Sequence, residues 1–300
     1  MPIVEVRKDN PLYPADEGSF ILKLKDSKMY PTTTSTCFDV AQRGQFYTDE
    51  SGKLFKVCTH YGVKDKPNPD MQKEAYSAIP NVEFDIHPNS EQEGKGISFT
   101  HIFKTNSCGS VETVETPDVH FPSIKGHRQP FNDYQRTIMR ELDHTDRGHL
   151  ISSQLGGGME DINLVPMTDA SNRGHRPETM KKNGLSEFFD KSLQYNPRYP
   201  EGAHIPLKDT STMQYDELND ITFFVSTNYR EVERFIEEVC GNMKKNAPDD
   251  SLTLRWIITY QTLFLNDGQL AVSLYPTIFI SLFVDKVKDR AIKNWLVFVS

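Results

Sequence analysis

Residues 143–177 hold side chains of three kinds that can do chemistry together, in the run DHTDRGHLISSQLGGGMEDINLVPMTDASNRGHRP. His149 carries an imidazole, whose ordinary pKa of about 6.5 lets the neutral ring take a proton from water near neutral pH. Asn172 offers an amide oxygen, a hard ligand suited to Mg²⁺ or Mn²⁺. Arg147 adds a planar cation that can hold a phosphate. A base, a metal ligand and a phosphate contact are the groups that hydrolysis of a phosphodiester requires.

The elements that must position these groups follow one another along the same run. DRGHLIS is typical of a strand, QLGGGMEDI of a loop with three consecutive glycines, and NLVPMT of a second strand. SNRGHRPETMKK then opens a helix. This order of strand, loop, strand and helix can bring His149 on the first strand and Asn172 at the helix start over one shallow surface.

The segment resembles the DNA/RNA non-specific endonucleases, whose ββα-metal finger contains a DRGH motif. Here the motif occupies residues 146–149 and is followed by LISSQLGG and INLVP, much as in bacterial members of the family. Asn163 and Asn172 are nine residues apart, and the family's two important asparagines are similarly separated. The likeness extends outward over roughly residues 98–300, from a leading hairpin at FTHIFKTNSCGSVETVE to closing strands at LYPTIFISLFVDKVKDRAIKNWLVF.

The resemblance implies a role for each matching residue. The catalytic set would be His149 as general base, Arg147 as a contact to the transition-state phosphate, Asn163 as the residue that holds the finger in shape, and Glu178. Asn172 would be the direct protein ligand of a mostly hydrated Mg²⁺, with Mn²⁺ as a substitute. The implied substrate contacts are Arg136, Arg140 and Arg173.

One position departs from the family pattern. The metal-bearing helix of the family usually carries a tryptophan and a glutamate about two turns after the asparagine, whereas Met180 stands at the expected glutamate position. Glu178, two residues earlier, is the candidate replacement. Alternatively the helix begins later, because Pro177 favours a first-turn position.

Each of these residues also has an ordinary structural interpretation. A single histidine on a strand is usually structural, and an asparagine before a helix usually caps it. The DRGH motif, the glycine loop, NLVP and the asparagine spacing occur together and in order, which favours an active site. His144 and His175 have no matching role and are expected in exposed loops. The glycine run is interpreted as a turn, since no GK[ST] follows it as a P-loop would require.

Composition limits the classes of protein and partner. The chain has 300 residues with 37% hydrophobic and 25% charged residues, as is typical of a globular protein. Its net charge of −8 argues against a general polyanion binder, so any contact with nucleic acid should be local. The start MPIVEVRKDN lacks the apolar run of a signal peptide, and no membrane span is expected. Four scattered cysteines without a CxxC pair indicate free thiols.

The strand and helix patterns along the chain predict an α+β fold, and the resemblance implies a ββα-metal (His-Me) finger on a mainly antiparallel β-sheet. Residues 1–97 are expected to form a β-rich N-terminal region of unknown function, with strands at SFILKLKD and KLFKVCTHYGV, and residues 98–300 the endonuclease domain. A hairpin is expected around NSCG at 106–109, and a strand running into a helix at DITFFVSTNYREVERFIEEVCGNMKKN. The last fifty residues are strand-like.

Two functions remain open at this point. The resemblance implies a metal-dependent, sequence-non-specific endonuclease that acts on DNA, RNA or both and leaves 5′ phosphates. Many bacterial relatives are toxin effectors held in check by an immunity or inhibitor protein. The alternative is a catalytically silent module that keeps the fold and binds nucleic acid or protein. The compartment is left open between the cytoplasm and export by a dedicated secretion system.

Overall fold

The computed structural model describes the N-terminal half of the chain most completely. The described residues are 1–14, 20–26, 34–62, 79–119, 146–152, 155–167, 223–225, 237, 240–241, 244–245, 248–259, 262–264, 270–272, 277–285 and 292–299. The chain divides into two compact units. The first comprises Met1–Thr116, Pro122–Arg140 and His149–Leu164, and the second comprises Pro117–Phe121, Glu141–Gly148 and Val165–Ser300.

Seven neighbouring strands of the largest sheet lie in the first unit. The strands are hydrogen-bonded in chain order: β1 (Ile3–Val6), β2 (Cys37–Val40), β3 (Gly44–Thr48), β4 (Leu54–His60), β5 (Glu83–His87), β6 (His101–Thr105) and β7 (Val111–Thr116). The pairs β1/β2 and β4/β5 are parallel, and the other neighbours are antiparallel. The prediction of a mainly antiparallel sheet is therefore confirmed, as is the strand predicted at KLFKVCTHYGV.

The predicted hairpin joins β6 to β7. The side-chain oxygen Oδ1 of Asn106 accepts hydrogen bonds from the backbone N–H groups of Cys108 and Ser110, at 2.9 and 3.1 Å. An asparagine that bonds its own chain in this way favours a turn over a continued strand. The prediction from NSCG is confirmed.

The strand predicted at SFILKLKD is wrong, because Phe20–Asp26 forms a helix, α1. Phe20, Ile21 and Leu24 are buried, and their spacing of one and three residues marks one face of a helix. The ring of Phe20 packs against Phe38 and Phe46, with centroids 5.5 and 4.7 Å away. The high content of apolar residues in this run is compatible with a strand, but the buried positions follow the period of a helix.

A second, short helix, α2 (Ser90–Glu93), lies between β5 and β6. Its start is a reciprocal cap, because the N–H of Gln92 bonds the Asn89 side chain and the N–H of Asn89 bonds the Gln92 side chain, both at 3.0 Å. The predicted domain division after residue 97 lies between α2 and β6. There, β5 and β6 pair antiparallel from Glu83 opposite Lys104 to Ile86 opposite His101.

The run around the DRGH motif forms a separate two-stranded sheet of β8 (Asp146–His149) and β9 (Leu164–Met167). A short 3-10 turn at Asp161–Asn163 leads into β9. The predicted order of strand, loop and strand is thus present. The helix expected after β9 lies outside the described residues.

The second unit contains the remaining strands. β10 (Phe223–Val225) pairs parallel with β15 (Ile292–Val299), which pairs antiparallel with β14 (Thr277–Asp285), which in turn pairs antiparallel with β11 (Ser251–Thr259). β12 (Thr262–Phe264) and β13 (Leu270–Val272) form a separate antiparallel pair. The prediction of strands over the last fifty residues is confirmed. Alternate side chains of β11 are buried, namely Leu252, Leu254, Trp256 and Ile258.

Two further sequence expectations can be compared with the structure. All four cysteines are free thiols, as expected. None of the described helices has the length and apolar character that a membrane crossing needs.

Candidate active site

His149 ends β8, at the point where the chain leaves the strand for the glycine loop. The side chain is half-buried, and its ring nitrogen Nε2 lies 2.7 Å from the thioether sulfur Sδ of Met159. Met159 is itself buried. The predicted general base is therefore held against a residue that lies ten positions further along the chain.

Gly148, the residue before His149, packs against Met167, the other methionine of this region. A Cβ atom added at Gly148 would lie 2.1 Å from Sδ of Met167, a residue of β9. The DRGH strand therefore has a glycine where a side chain from the paired strand crosses it. Any larger residue at position 148 would have to displace Met167.

Asn163 closes the loop between β8 and β9. It is fully buried, and its side-chain oxygen accepts the backbone N–H of Ile151 at 2.9 Å. Its amide nitrogen donates to the carbonyls of Ile151, at 3.0 Å, and Gly158, at 2.8 Å. The backbone adds a hydrogen bond from the N–H of Leu150 to the carbonyl of Asn163, at 2.8 Å. One amide side chain thus ties the loop at its beginning, its middle and its end.

The glycine run is required by packing as well as by the turn. Gly157 has no room for a side chain, because an added Cβ would lie 1.9 Å from the carbonyl oxygen of Ile151 and 2.9 Å from Nδ2 of Asn163. Gly156 has a φ of +87°, a region that favours glycine, and an added Cβ there would meet the ring of Phe99. The hydrogen bonds between Asn163 and Ile151 therefore require a glycine at position 157.

Glu160 is a buried carboxylate that the sequence did not single out. The carboxyl oxygen Oε1 accepts the backbone N–H of Gly62 at 2.8 Å, and no described residue hydrogen-bonds Oε2. Burial raises the pKa of Glu160 to about 7, although the Gly62 N–H favours the charged form. Gly158 lies against this carboxyl group, because a Cβ there would be 2.0 Å from Oε2. Nothing in the run GGGMEDIN distinguishes Glu160 from an exposed loop acid.

Gly62 is held on both sides by buried groups. Its N–H bonds Glu160, and its carbonyl accepts Nδ2 of Asn89 at 2.7 Å. The neighbouring Tyr61 shares a 2.7 Å hydrogen bond with Nδ1 of His101. Burial lowers the pKa of His101 to about 3 and raises that of Tyr61 well above its usual value, so both groups are neutral. The loop therefore packs, within the first unit, against neutral side chains that are hydrogen-bonded to one another.

The structure brings two of the predicted site residues to opposite ends of one loop. His149 stands at its beginning and Asn163 at its end, and the backbone of Arg147 belongs to β8. The Arg147 side chain and the other predicted site residues lie outside the described parts, namely Arg136, Arg140, Asn172, Arg173 and Glu178.

The described residues contain no group of three histidine, cysteine, aspartate or glutamate side chains that could hold a metal. The centre expected from the sequence is of another kind, since it has one amide ligand and several waters. That donor set suits Mg²⁺, which keeps much of its hydration when it binds. In the described part of the loop the Asn163 amide bonds backbone groups, and the predicted ligand Asn172 lies outside the described residues, so the magnesium site stays a prediction.

Part of the chain matches a known protein family. Residues 97–206 match the family described as DNA/RNA non-specific endonuclease. The matched range contains β6 to β9 and every predicted site residue, and it ends well before residue 300, where the resemblance was expected to reach. No protein of curated function matches the chain.

Proposed function

We propose that this protein, which carries a domain of the DNA/RNA non-specific endonuclease family at residues 97–206, is a metal-dependent endonuclease with little sequence preference. It would hydrolyse phosphodiester bonds of DNA, RNA or both and leave 5′ phosphates. The observation that carries the proposal is the position of His149, at the end of the DRGH strand and beside a loop whose shape is set by buried hydrogen bonds.

His149 is the general base of this proposal. It must be neutral to accept a proton from the attacking water, and its ring must keep one orientation while it does so. The contact of the ring with Met159 and the hydrogen bonds of Asn163 to the loop backbone hold the ring in one orientation. Base catalysis of this kind contributes about 10² to 10⁴-fold in rate. Asn163 takes part through the shape of the loop, since both ends of its amide are used by backbone groups.

The remaining roles rest on the sequence resemblance. Asn172 would hold Mg²⁺ or Mn²⁺, which supplies positive charge beside the phosphate as negative charge develops there. Arg147 would contact the same phosphate, and Glu178 would replace the helix glutamate of the family. Arg136, Arg140 and Arg173 would contact the nucleic-acid backbone.

The charge distribution supports a local contact with nucleic acid. Residues 121–200 contain 11 Lys and Arg and 10 Asp and Glu, a net charge of 11 − 10 = +1, whereas the whole chain has 34 − 42 = −8. Affinity for a phosphate backbone comes mostly from lysine and arginine. The segment that carries the candidate site is thus less acidic than the remainder of the chain.

Digestion of supercoiled DNA and of RNA by the purified protein tests the proposal. With Mg²⁺ or Mn²⁺ both substrates should be degraded, EDTA should stop the reaction, and the products should accept a kinase label only after phosphatase treatment. Full activity in chelator would exclude the metal-dependent mechanism. The Asn172→Ala protein should need a higher metal concentration, and the Glu178→Gln protein should turn over about 10 to 100-fold more slowly.

A catalytically silent binding module is the second candidate, and Met180 at the expected glutamate position favours it. That protein would retain nucleic acid on a filter in EDTA and would leave it intact when Mg²⁺ or Mn²⁺ is added.

A role as a toxin effector is a further part of the proposal, with an immunity or inhibitor protein as partner. Expression of the wild-type chain in a bacterial host should then arrest growth, and His149→Ala should relieve the arrest. Equal toxicity of the two chains would contradict this role.

A further inference from the structure

We propose that Tyr61 and Gly62, directly after β4, are positioning residues of the nuclease site. They hold the loop between β8 and β9, whose first residue follows His149. The loop and these two residues belong to one compact unit, in which His149–Leu164 is grouped with Met1–Thr116. Both residues nevertheless precede residue 97, where the family match begins. The inference rests on the proposed function and extends it, because it gives the N-terminal region a role in the site.

Two glycines of the loop pack against a cluster of three buried rings. The cluster consists of Tyr61, Phe99 and His101. The rings of Phe99 and His101 are stacked with centroids 4.3 Å apart, and Tyr61 shares a hydrogen bond with His101. A Cβ added at Gly156 would meet the ring of Phe99, and one added at Gly158 would meet the ring of Tyr61. The loop backbone therefore lies directly on the rings at both positions.

A buried hydrogen bond fixes the register of the loop on this surface. The carboxyl oxygen Oε1 of Glu160 accepts the backbone N–H of Gly62 at 2.8 Å, and both residues are buried. The second oxygen, Oε2, lies against Gly158, the same glycine that faces Tyr61. Contacts between rings and glycines alone would allow the loop to slide, because they are not directional. A buried hydrogen bond requires one distance and one angle, so it specifies a single position.

Gly62 is itself tied to other elements of the N-terminal region. Its carbonyl accepts Nδ2 of Asn89 at 2.7 Å, and the N–H of Tyr61 donates to the carbonyl of His87 at 2.9 Å. Asn89 caps the start of α2, and His87 ends β5. The N–H group that Glu160 accepts is therefore held by two elements that lie before the matched range.

The position of the loop is transmitted to His149 through Asn163. The carbonyl of Gly158 accepts Nδ2 of Asn163 at 2.8 Å, and the same amide bonds both backbone groups of Ile151. Ile151 is two residues after His149. A displacement of residues 158–160 would therefore shift the end of β8 and with it the ring of the general base. A misplacement of about 1 Å can cost about 10²-fold in rate.

Two substitutions at position 160 separate the hydrogen bond from the volume of the side chain. Glu160→Leu removes the acceptor and keeps a side chain of similar size, whereas Glu160→Gln keeps an acceptor oxygen at the same reach.

Thr105→Val is the matched control. Oγ1 of Thr105 also accepts a backbone N–H from the N-terminal region, that of Val82 at 3.0 Å, and Thr105 is buried. It ends β6, whereas His101 of the ring cluster begins that strand. The control therefore loses the same kind of buried hydrogen bond away from the loop.

The test combines kinetics on the full chain, with DNA and Mg²⁺, and hydrogen exchange of the loop amides. Glu160→Leu should lower kcat per folded molecule by about 10 to 100-fold with little change in KM. It should also speed the exchange of the Leu150 and Ile151 amides, both of which donate to Asn163. Glu160→Gln should restore most of kcat and slow exchange. Thr105→Val should lower the melting temperature but change neither kcat nor the exchange of these amides.

Tyr61→Phe is a second variant that decides the question if Glu160→Leu does not fold. It keeps the ring that faces Gly158 and removes only the hydroxyl group that bonds His101. We expect kcat to fall in the same direction, by a smaller factor, with KM unchanged.

Wild-type kcat in Glu160→Leu would overturn the proposal, as would wild-type kcat in Tyr61→Phe where the leucine variant does not fold. An equal loss of kcat in Thr105→Val, or a Glu160→Gln protein no better than Glu160→Leu, would also overturn it. Hydrogen exchange is independent of turnover. A wild type that binds DNA without cleaving it would therefore refute the proposed function, while the loop amides would still show whether Glu160 and Gly62 hold the loop.

Discussion

The loop between β8 and β9 and the polar face of β4 and β5 are both rich in hydrogen-bonding side chains, but they differ in burial. On the sheet, the amine Nζ of Lys56 lies 2.8 Å from Glu83 and 2.6 Å from Asp85, and Lys104 reaches Glu83 at 3.0 Å. These side chains are between 15 and 54 % exposed. In the loop, Glu160 and Asn163 are fully buried.

The two glutamates show what this difference means. Burial favours the neutral form of Glu83, but hydrogen bonds from Lys56 and Lys104 outweigh it and lower its pKa. Glu160 has no cation among its described partners, and burial raises its pKa to about 7. Exposed ion pairs typically contribute about 0 to 1 kcal/mol and tolerate change. Buried polar groups must keep their partners, so they specify one geometry for the loop.

Deletion of the N-terminal strands that contact the loop should have the largest effect on folding. A chain that begins at Gly96 lacks β5, the partner of β6, and lacks Gly62, the partner of Glu160. We expect it to be insoluble or to unfold without a cooperative transition, as circular dichroism on heating would show. A soluble fragment that melts cooperatively and cleaves DNA would instead support an independent domain at 98–300.

Replacement of His149 should lower turnover without lowering stability, which distinguishes a catalytic role from a structural one. His149→Ala is expected to lower turnover by about 10² to 10⁴-fold with little change in melting temperature. His60→Ala is the matched control, because His60 lies on the sheet face and bonds the carbonyl of Pro88 at 2.9 Å. It should retain full turnover. A His149→Ala protein that is destabilised but fully active would remove this residue from the chemistry.

Gly157→Ala should show how tightly the loop is packed. The added methyl group would collide with the carbonyl of Ile151 and press on Asn163, so we expect a loss of roughly 1 to 3 kcal/mol in unfolding free energy and a fall in turnover. Gly241→Ala is the control, because a Cβ at that helical position meets nothing within 4 Å. It should leave activity unchanged and the fold equally or more stable. Equal behaviour of the two alanine variants would show that the loop yields easily.

The two glutamates should respond to pH in opposite directions. Because the folded pKa of Glu160 is about 7 and its ordinary value 4.5, the folded protein must ionise a buried group as pH rises, and stability falls between those values. Glu160→Gln should remove this loss and be more stable than wild type above pH 7, by up to roughly 3 kcal/mol.

Glu83 has a lowered pKa, so its contribution is present at neutral pH and is lost on acidification. Glu83→Gln should therefore be less stable than wild type near pH 7, with a difference that shrinks below about pH 4.5. Urea titrations at a series of pH values measure both variants. Parallel curves for the two would contradict the contrast between loop and sheet.

The sequence predicted the parts of this fold that depend on local pattern. The glycines and the alternation on either side of them indicated strand, loop and strand around His149, and Asn106 with Gly109 indicated the β6–β7 hairpin. Helix α1 was missed because Phe20 and its neighbours fit both periods, and only packing against Phe38 and Phe46 decides between them. Glu160 and Met159 could not be recognised, since their roles arise from burial and from contacts that the folded loop creates.

The bond between Gly62 and Glu160 joins residues 98 positions apart in the chain. Contacts of such high sequence separation carry a large loop-closure entropy and tend to form late in folding. The ring of His149 would then acquire its fixed orientation only when the N-terminal strands and the loop have met. During synthesis from the ribosome, the strands that hold Gly62 emerge first and the loop follows. We therefore expect hydrolytic competence to appear as one of the last events of folding, so that partly synthesised or truncated chains carry the motif without the activity.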